Sequence, residues 1–394
     1  MFNALPLLLL STVASAHAVT LVKDRNALTL PAQRHLVRME TGHGRPATWL
    51  LALQLSGQDG RGLELLRSDD EAHSWRPYAA LQPDPTHQDR ADLLAVGDDL
   101  ALVWSFEDPI VEGSSRHDVF FQWWRHDAAT HEWRPQPAVR VFDATSNDVG
   151  YVRAELARDS RGRLWVQAWK LERSGSYTAV VSVSEDGGRS FREQPPLASL
   201  PQRGGGRLIS LGQRLMLLYD MHHDSRQPAK LRLRDDEWPV NRWTDVEDAF
   251  PRGIYHGAAM SAVADGAGGL HVVFKQKLGE LVYRHFDGVR FGEPTVLLTE
   301  SDWAVQPAIT LVGEQLYVFF NRPRAGNRYD VVLTVLSEGR FSPLVVLDDG
   351  DAPFKGYPAA AERLPVSVPR VPCLFGWLTR SGVRAVYQLD SPHT

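Results

Sequence analysis

The chain has 394 residues, with 43 basic and 48 acidic side chains and a formal net charge of −5. Hydrophobic residues make up 43 %, enough for a large buried core, which excludes a globally disordered chain. The mildly acidic balance carries no basic block, which argues against nucleic acid or an anionic membrane surface as main partner. The single cysteine, Cys373, excludes an internal disulfide framework and a Cys-rich zinc module.

The N-terminus reads MFNALPLLLLSTVASAHA. Its apolar run from Leu5 to Leu10 leads into small residues ending Ala16-His17-Ala18, the pattern of a secretory signal peptide. Residues 1–18 are therefore expected to be removed, leaving 19–394 as one domain in the periplasm or the medium. No later stretch reaches the roughly 20 apolar residues of a spanning helix, so a soluble and monomeric protein is expected.

Beyond that segment one unit recurs. A very apolar strand is followed by an alternating strand and then by a polar turn closed by an aromatic. The first kind reads TWLLALQL, LALVWSF, LWVQAW, RLMLLYD, LHVVFKQ, QLYVFFN and CLFGWLT; the second begins GLELLRS, DVFFQWWR and TAVVSVS. Short runs rich in Val, Leu and aromatics between turn residues are strands. The closing aromatics are Trp75, Trp133, Phe191, Trp243, Phe291 and Phe341, at intervals of 48 to 58 residues. Four-stranded units at this period predict an all-β fold, a β-propeller of seven blades, with six as the alternative. The last unit, Tyr357 to Leu389, has three clear strands, and Val19 to Leu30 is expected to supply the fourth and close the ring.

Two of the polar turns share a signature. Ser68-Asp69-Asp70-Glu71-Ala72-His73-Ser74-Trp75 and Ser184-Glu185-Asp186-Gly187-Gly188-Arg189-Ser190-Phe191 both fit S-x-D-x-[GA]-x-S-[WF]. This resembles the Asp-box, or bacterial neuraminidase repeat, of sialidase-like propellers. Asp70 and Asp186 can accept backbone N–H bonds inside the turn while the aromatic anchors the hairpin. The resemblance implies a propeller whose Asp-box face lies opposite its active site. The boxes therefore imply fold rather than chemistry.

On the other face, inner strands begin and second strands end. That rule gathers Asp92, Tyr151, Arg153, Arg207, Tyr255, His256, Gln306 and Tyr357 with Asp108, Asp220, Lys275 and Arg322. Converging Arg and Lys side chains suit a carboxylate, so an acidic glycan is the expected partner. The sialidase resemblance implies an arginine clamp on Arg153, Arg207 and Arg322, Tyr357 as nucleophile, and Asp92 or Asp108 as acid; by their place at the same mouth, Lys275 and Gln306 are expected to bind substrate as well. The chain reads His35-Leu36-Val37-Arg38-Met39 where those enzymes carry Arg-Ile-Pro.

A second enzymatic reading rests on Tyr255-His256, which beside a cation suits β-elimination on a uronic-acid polysaccharide. A glycoside hydrolase of acidic sugars is the expected function, with a propeller that binds glycan or protein without cutting as the first alternative and the lyase as the second. Asp220-Met221-His222-His223-Asp224 reads as a polar loop rather than a metal site, and Asp235-Asp236-Glu237 as a solvated hairpin. Trp123 and Trp124 are expected to pack between blades. No phosphate loop or G-x-S-x-G motif appears, so no cofactor is expected.

Overall fold

A computed structural model describes residue 28 and residues 32–392, apart from 41–45, 56–61, 83–88, 107–117, 145–148, 173–174, 202–203, 222–226, 258, 278, 302–304, 351–353 and 379–383. The expected signal peptide and most of the closing segment 19–30 lie outside the described residues.

The chain is a seven-bladed β-propeller. The inner strands are Leu36–Met39, Asp89–Val96, Val149–Arg158, Gly204–Ser210, Met260–Ala264, Pro307–Val312 and Phe354–Ala360. Each pairs antiparallel with the second strand of its blade, which pairs with the third, and the outer strand follows in blades one to six. In blades two, three and six that outer strand is broken in two. The seventh shows three strands among the described residues, Phe354–Ala360, Arg370–Leu378 and Arg384–Pro392. The one helical element among the described residues is the 3₁₀ turn Tyr255–Gly257, and none of their helices is long and apolar enough to cross a membrane.

Middle strands are sandwiched between neighbouring blades, so both of their faces need apolar side chains. Gly62–Ser68 is accordingly buried at every position. The core is divided into layers between blades. One cluster joins blades one and two, another two and three, and so on to five and six, while a larger one spans six, seven and one. Leu28, just ahead of the first blade, is buried in that last cluster, 2 % exposed.

The periodic aromatics sit in these layers. Trp133 packs between blades one and two, Phe191 between two and three, and Trp243 between three and four. Phe291 and Phe341 do the same for the next two gaps, and Trp75 enters the cluster of blades six, seven and one. Each aromatic thus leaves its own blade and wedges against the preceding one. Trp123 and Trp124 likewise pack on opposite sides of blade two.

The two Ser-x-Asp turns fold alike. Asp186 accepts N–H bonds from Arg189 and Ser190, both at 3.0 Å, and hydroxyl bonds from Ser184 at 2.8 Å and Ser190 at 2.6 Å. Asp70 repeats this with His73 at 3.0 Å, Ser74 at 2.9 and 2.6 Å and Ser68 at 2.7 Å. Both turns are tied to the blade before them. Trp123 of blade two donates its indole N–H to Gly187 O at 2.8 Å, and Gln388 of blade seven donates to Ala72 O at 2.7 Å. The second of these helps close the ring.

Some burial of Asp70 opposes its ionisation, but the bonds from Ser74 and Ser68 win and draw its carboxyl down to about 2. The Ser190 bonds hold Asp186 lower still. A carboxyl depressed on folding stabilises above its unfolded pKa of about 4, and that stability is lost as pH falls toward 2. Asp186→Ala is expected to cost about 1–2 kcal/mol, the value of a capping acceptor with several donors. Urea unfolding at pH 7 checks this, and the difference from wild type should shrink in acid. An unchanged midpoint at neutral pH would sink it.

One expectation is corrected here. Asp236 is not solvated but 1 % exposed, and it accepts from Ser160 N at 2.8 Å and Ser160 Oγ at 2.6 Å, fastening blade four to blade three.

Candidate functional site

Alternating strand direction puts the starts of the inner strands and the ends of the second strands on one face, here called the mouth. Blade five contributes its most constrained part. The turn Tyr255–Gly257 runs into the inner strand Met260–Ala264, and Lys275 ends the second strand Leu270–Lys275. Lys275 is buried, and its Nζ lies 4.2 Å from the centre of the Tyr255 ring. An ammonium over an aromatic face is attracted by the ring quadrupole.

A buried ion pair holds this turn in place. Asp220, at the end of the second strand of blade four, meets Lys277 Nζ at 2.8 Å and accepts the N–H of Ile254. Burial pushes the Asp220 carboxyl up to about 6 although Lys277 and the backbone bonds oppose it. Gly257, at φ 63°, has no room for a side chain, because a Cβ there would stand 2.5 Å from Asp220 O and Gly205 N. The run Gly204-Gly205-Gly206 opposite removes the side chains that would keep the turn away. Tyr255 is half-buried, and the side chain of His256 lies outside the described residues.

Two other inner strands are irregular in a different way, by a slip of register. The register slips between Val152 and Glu155 in blade three and between Gly356 and Ala359 in blade seven. Arg153 and Tyr357 lie within these bulges at φ 56° and 52°, in the left-handed region that side-chain-bearing residues avoid. Such conformations cost on the order of 1 kcal/mol each and gather at functional sites. Arg153 donates to Gly204 O at 3.0 Å. Tyr357 is half-buried, its ring 5.5 Å from Phe354, which in turn lies 6.0 Å from Tyr329. Tyr151 is stacked on Phe142 at 4.9 Å, and burial pushes its phenol up to about 12.

In blade six Arg322 and Arg324 flank Asp330 at 2.5 and 3.0 Å. The backbone N–H of Gln306 is held by Asn321 Oδ1 at 3.0 Å, while Gln306 Oε1 is buried without a hydrogen-bond partner among the described residues.

Asp92 and Arg207 sit deeper, in a network along the channel axis. Asp92 accepts from Arg34 Nε at 2.9 Å, from the Arg34 backbone N–H at 2.7 Å and from Leu156 N at 2.7 Å. Arg207 pairs with Glu362. Glu155, fully buried, accepts from Leu208 N at 2.9 Å, and burial raises its carboxyl well above the usual range. Asp108, His222 and His223 lie outside the described residues, and among those described no group of three or more potential ligands is placed to hold a metal. The sequence reading missed Arg34, Glu155, Glu362 and Lys277. Glu155 was hidden because the bulge changes which face of its strand it occupies.

No protein-family model matches the chain, and no curated protein matches its sequence. Solved structures do match. An ulvan lyase, described as a new polysaccharide lyase family, superposes with a TM-score of 0.60 at 10 % identity over 95 % of both chains. It has also been solved bound to -[GlcA(1-4)Rha3S]-. The BP39L lectin from Burkholderia pseudomallei gives 0.57 at 13 % identity over 92 % of this chain and 98 % of that one. A Trypanosoma rangeli sialidase in complex with the inhibitor DANA gives 0.49 at 10 % identity, over 95 % of this chain and 59 % of its own. At these identities the likeness is one of fold.

Proposed function

We propose that this protein acts on carboxylate-bearing glycans at the mouth, and that it cleaves uronic-acid polysaccharides there by β-elimination. The observation that carries this reading is Tyr255, its ring set over the Lys275 ammonium, in a turn braced by the Asp220–Lys277 pair; His256 is its neighbour in the chain. In such a reaction Lys275 and Arg153 offset the uronate charge, which makes the proton on C5 more acidic. His256 or Tyr255 accepts that proton, the C4–O4 bond breaks, and a C4=C5 double bond forms. The departing oxygen takes a proton from the other of the two or from water. The ulvan lyase and the lectin that share this fold support a glycan as the partner.

Hydrolysis is the second reading, and one observation favours it: Tyr357 is held in a left-handed bulge at the start of an inner strand. In that reaction the phenol loses its proton to water and its oxygen attacks the anomeric carbon, the glycosidic C–O bond breaks with the leaving oxygen taking a proton, and water then releases the sugar from Tyr357. Against the three-arginine clamp, Arg207 and Arg322 already face Glu362 and Asp330.

The test is one incubation of purified protein with sialosides and uronic-acid polysaccharides, following reducing ends and the ultraviolet absorbance of unsaturated uronates together. Both signals rising supports elimination. Reducing ends or free sialic acid without absorbance moves the chemistry to Tyr357. Silence on both, with retention on an acidic glycan surface, leaves a propeller that binds without cutting.

A further inference from the structure

The central channel is hollow at the end away from the mouth. Inner-strand ends of several blades, residues 94–97, 157–159, 207–210 and 263–264, together with 362–363, surround a cavity of about 340 Å³. It opens on the face of the Ser-x-Asp turns, away from the mouth, and its size falls in the range of small-molecule sites, roughly 300–1,000 Å³. Arg34 and Arg207, with side chains 11 % and 5 % exposed, lie deep in it. Arg158 and Arg363 are exposed at its edge.

Charge is distributed unevenly over this bowl. Asp92 pairs with Arg34, and Glu155, whose carboxyl burial raises well above the usual range, faces the N–H of Leu208 at 2.9 Å. Asp159, although part of the wall, spends its carboxylate on Arg163 Nε at 2.6 Å and Trp165 Nε1 at 2.8 Å. Among the described residues neither Arg158 nor Arg363 forms an ion pair; Arg363 donates to Ala264 O at 2.5 Å. The rim is therefore positive. Glu362 is the informative residue, because its carboxylate pairs with Arg207, stands 3.8 Å from Arg34 and remains 32 % exposed to the cavity. The protein itself places a carboxylate on these two guanidinium groups.

We propose that this cavity is a second ligand site, for a small organic di- or tricarboxylate. One carboxylate joins or replaces Glu362 on Arg34 and Arg207, and another is held by Arg158 and Arg363. Guanidinium forks bind carboxylates with two bonds, and a ligand with two or more such groups spans floor and rim. The proposal is independent of the chemistry at the mouth.

Calorimetric titration of the full protein with citrate, and in parallel with succinate and inorganic phosphate, tests it at pH 7. Citrate is expected to bind at one site. The double variant Arg158→Ala, Arg363→Ala, altered only at exposed side chains, should weaken binding about tenfold or more, the loss of one or two charge-assisted bonds. Glu362→Gln should tighten it, since a competing carboxylate is removed. Circular dichroism melts confirm that both variants fold. No heat with citrate, binding indifferent to the rim arginines, weaker binding by Glu362→Gln, or phosphate bound as tightly as citrate would each overturn the proposal.

Discussion

Arg34→Ala is expected to lower stability by about 3–5 kcal/mol, the range seen when one partner of a buried ion pair is removed. The guanidinium holds Asp92 through two of its nitrogens, at 2.9 and 2.5 Å, and donates to the carbonyl of Leu156. Asp92 is 1 % exposed, so truncation leaves a carboxylate with few donors in a place water does not reach. Burial opposes charge on Arg34, yet Asp92 and Glu362 hold it protonated well above its ordinary range. The same side chain ties the entry of blade one to blades two and three, so the loss should fall on ring closure and not on a single hairpin. Guanidinium chloride unfolding followed by tryptophan fluorescence measures it. Arg34→Lys keeps the charge without the fork and should lose less. A cost below about 1 kcal/mol for the alanine variant would show that Asp92 finds other partners, since a buried charge left unpaired cannot be that cheap.

At the mouth, Tyr255→Phe is expected to lower kcat on a uronic-acid polysaccharide by about 10²–10⁴, the usual contribution of a positioned proton donor or acceptor. The ring stays over Lys275, so packing and substrate affinity should survive and KM should change little. Lys275→Ala is expected to act on both constants, because it removes a buried cation and the support beneath the ring. Initial rates of double-bond formation separate the two patterns. A Tyr255→Phe enzyme with full kcat would take Tyr255 out of the chemistry, whatever happens at Lys275. If cleavage proceeds without a double bond, Tyr357→Phe becomes the informative variant.

Much of the architecture is legible in the residues one by one. Middle strands such as TWLLALQL are apolar at nearly every position, on both faces, because both faces are covered, and this separates a blade from a half-exposed sheet. The recurring aromatics mark the repeat because one large ring of each of the first six blades fills the gap to the blade before it. The residues show Trp75 and Phe191 as anchors of their hairpins but not the surface they anchor to, which is the preceding blade in both cases. Nothing local shows this, since the partner surface of Phe191 lies in the preceding repeat and that of Trp75 near the other end of the chain.

The site was less legible. Arg153 and Tyr357 were picked out by their position in the repeat, but their left-handed backbone depends on bulges that pairing with the second strand creates. Tyr255 was expected at a strand start and instead begins a 3₁₀ turn, shaped by Asp220 of the preceding blade and by glycines on both sides. Arg34 and Glu362 were missed because their meaning is a contact between residues more than 300 positions apart.

The residues alone were enough to read an all-β chain, a propeller of seven or six blades and the places of its Ser-x-Asp turns; that the blades are seven is read from the sheet pairing. The first three follow from local patterns, namely strand alternation, turn chemistry and a ring of fixed period. Only the tertiary structure decided which charges meet on the axis, which residues the bulges turn and where the second cavity opens. These depend on long-range closure and on register, where a one-residue slip carries a side chain to the other face.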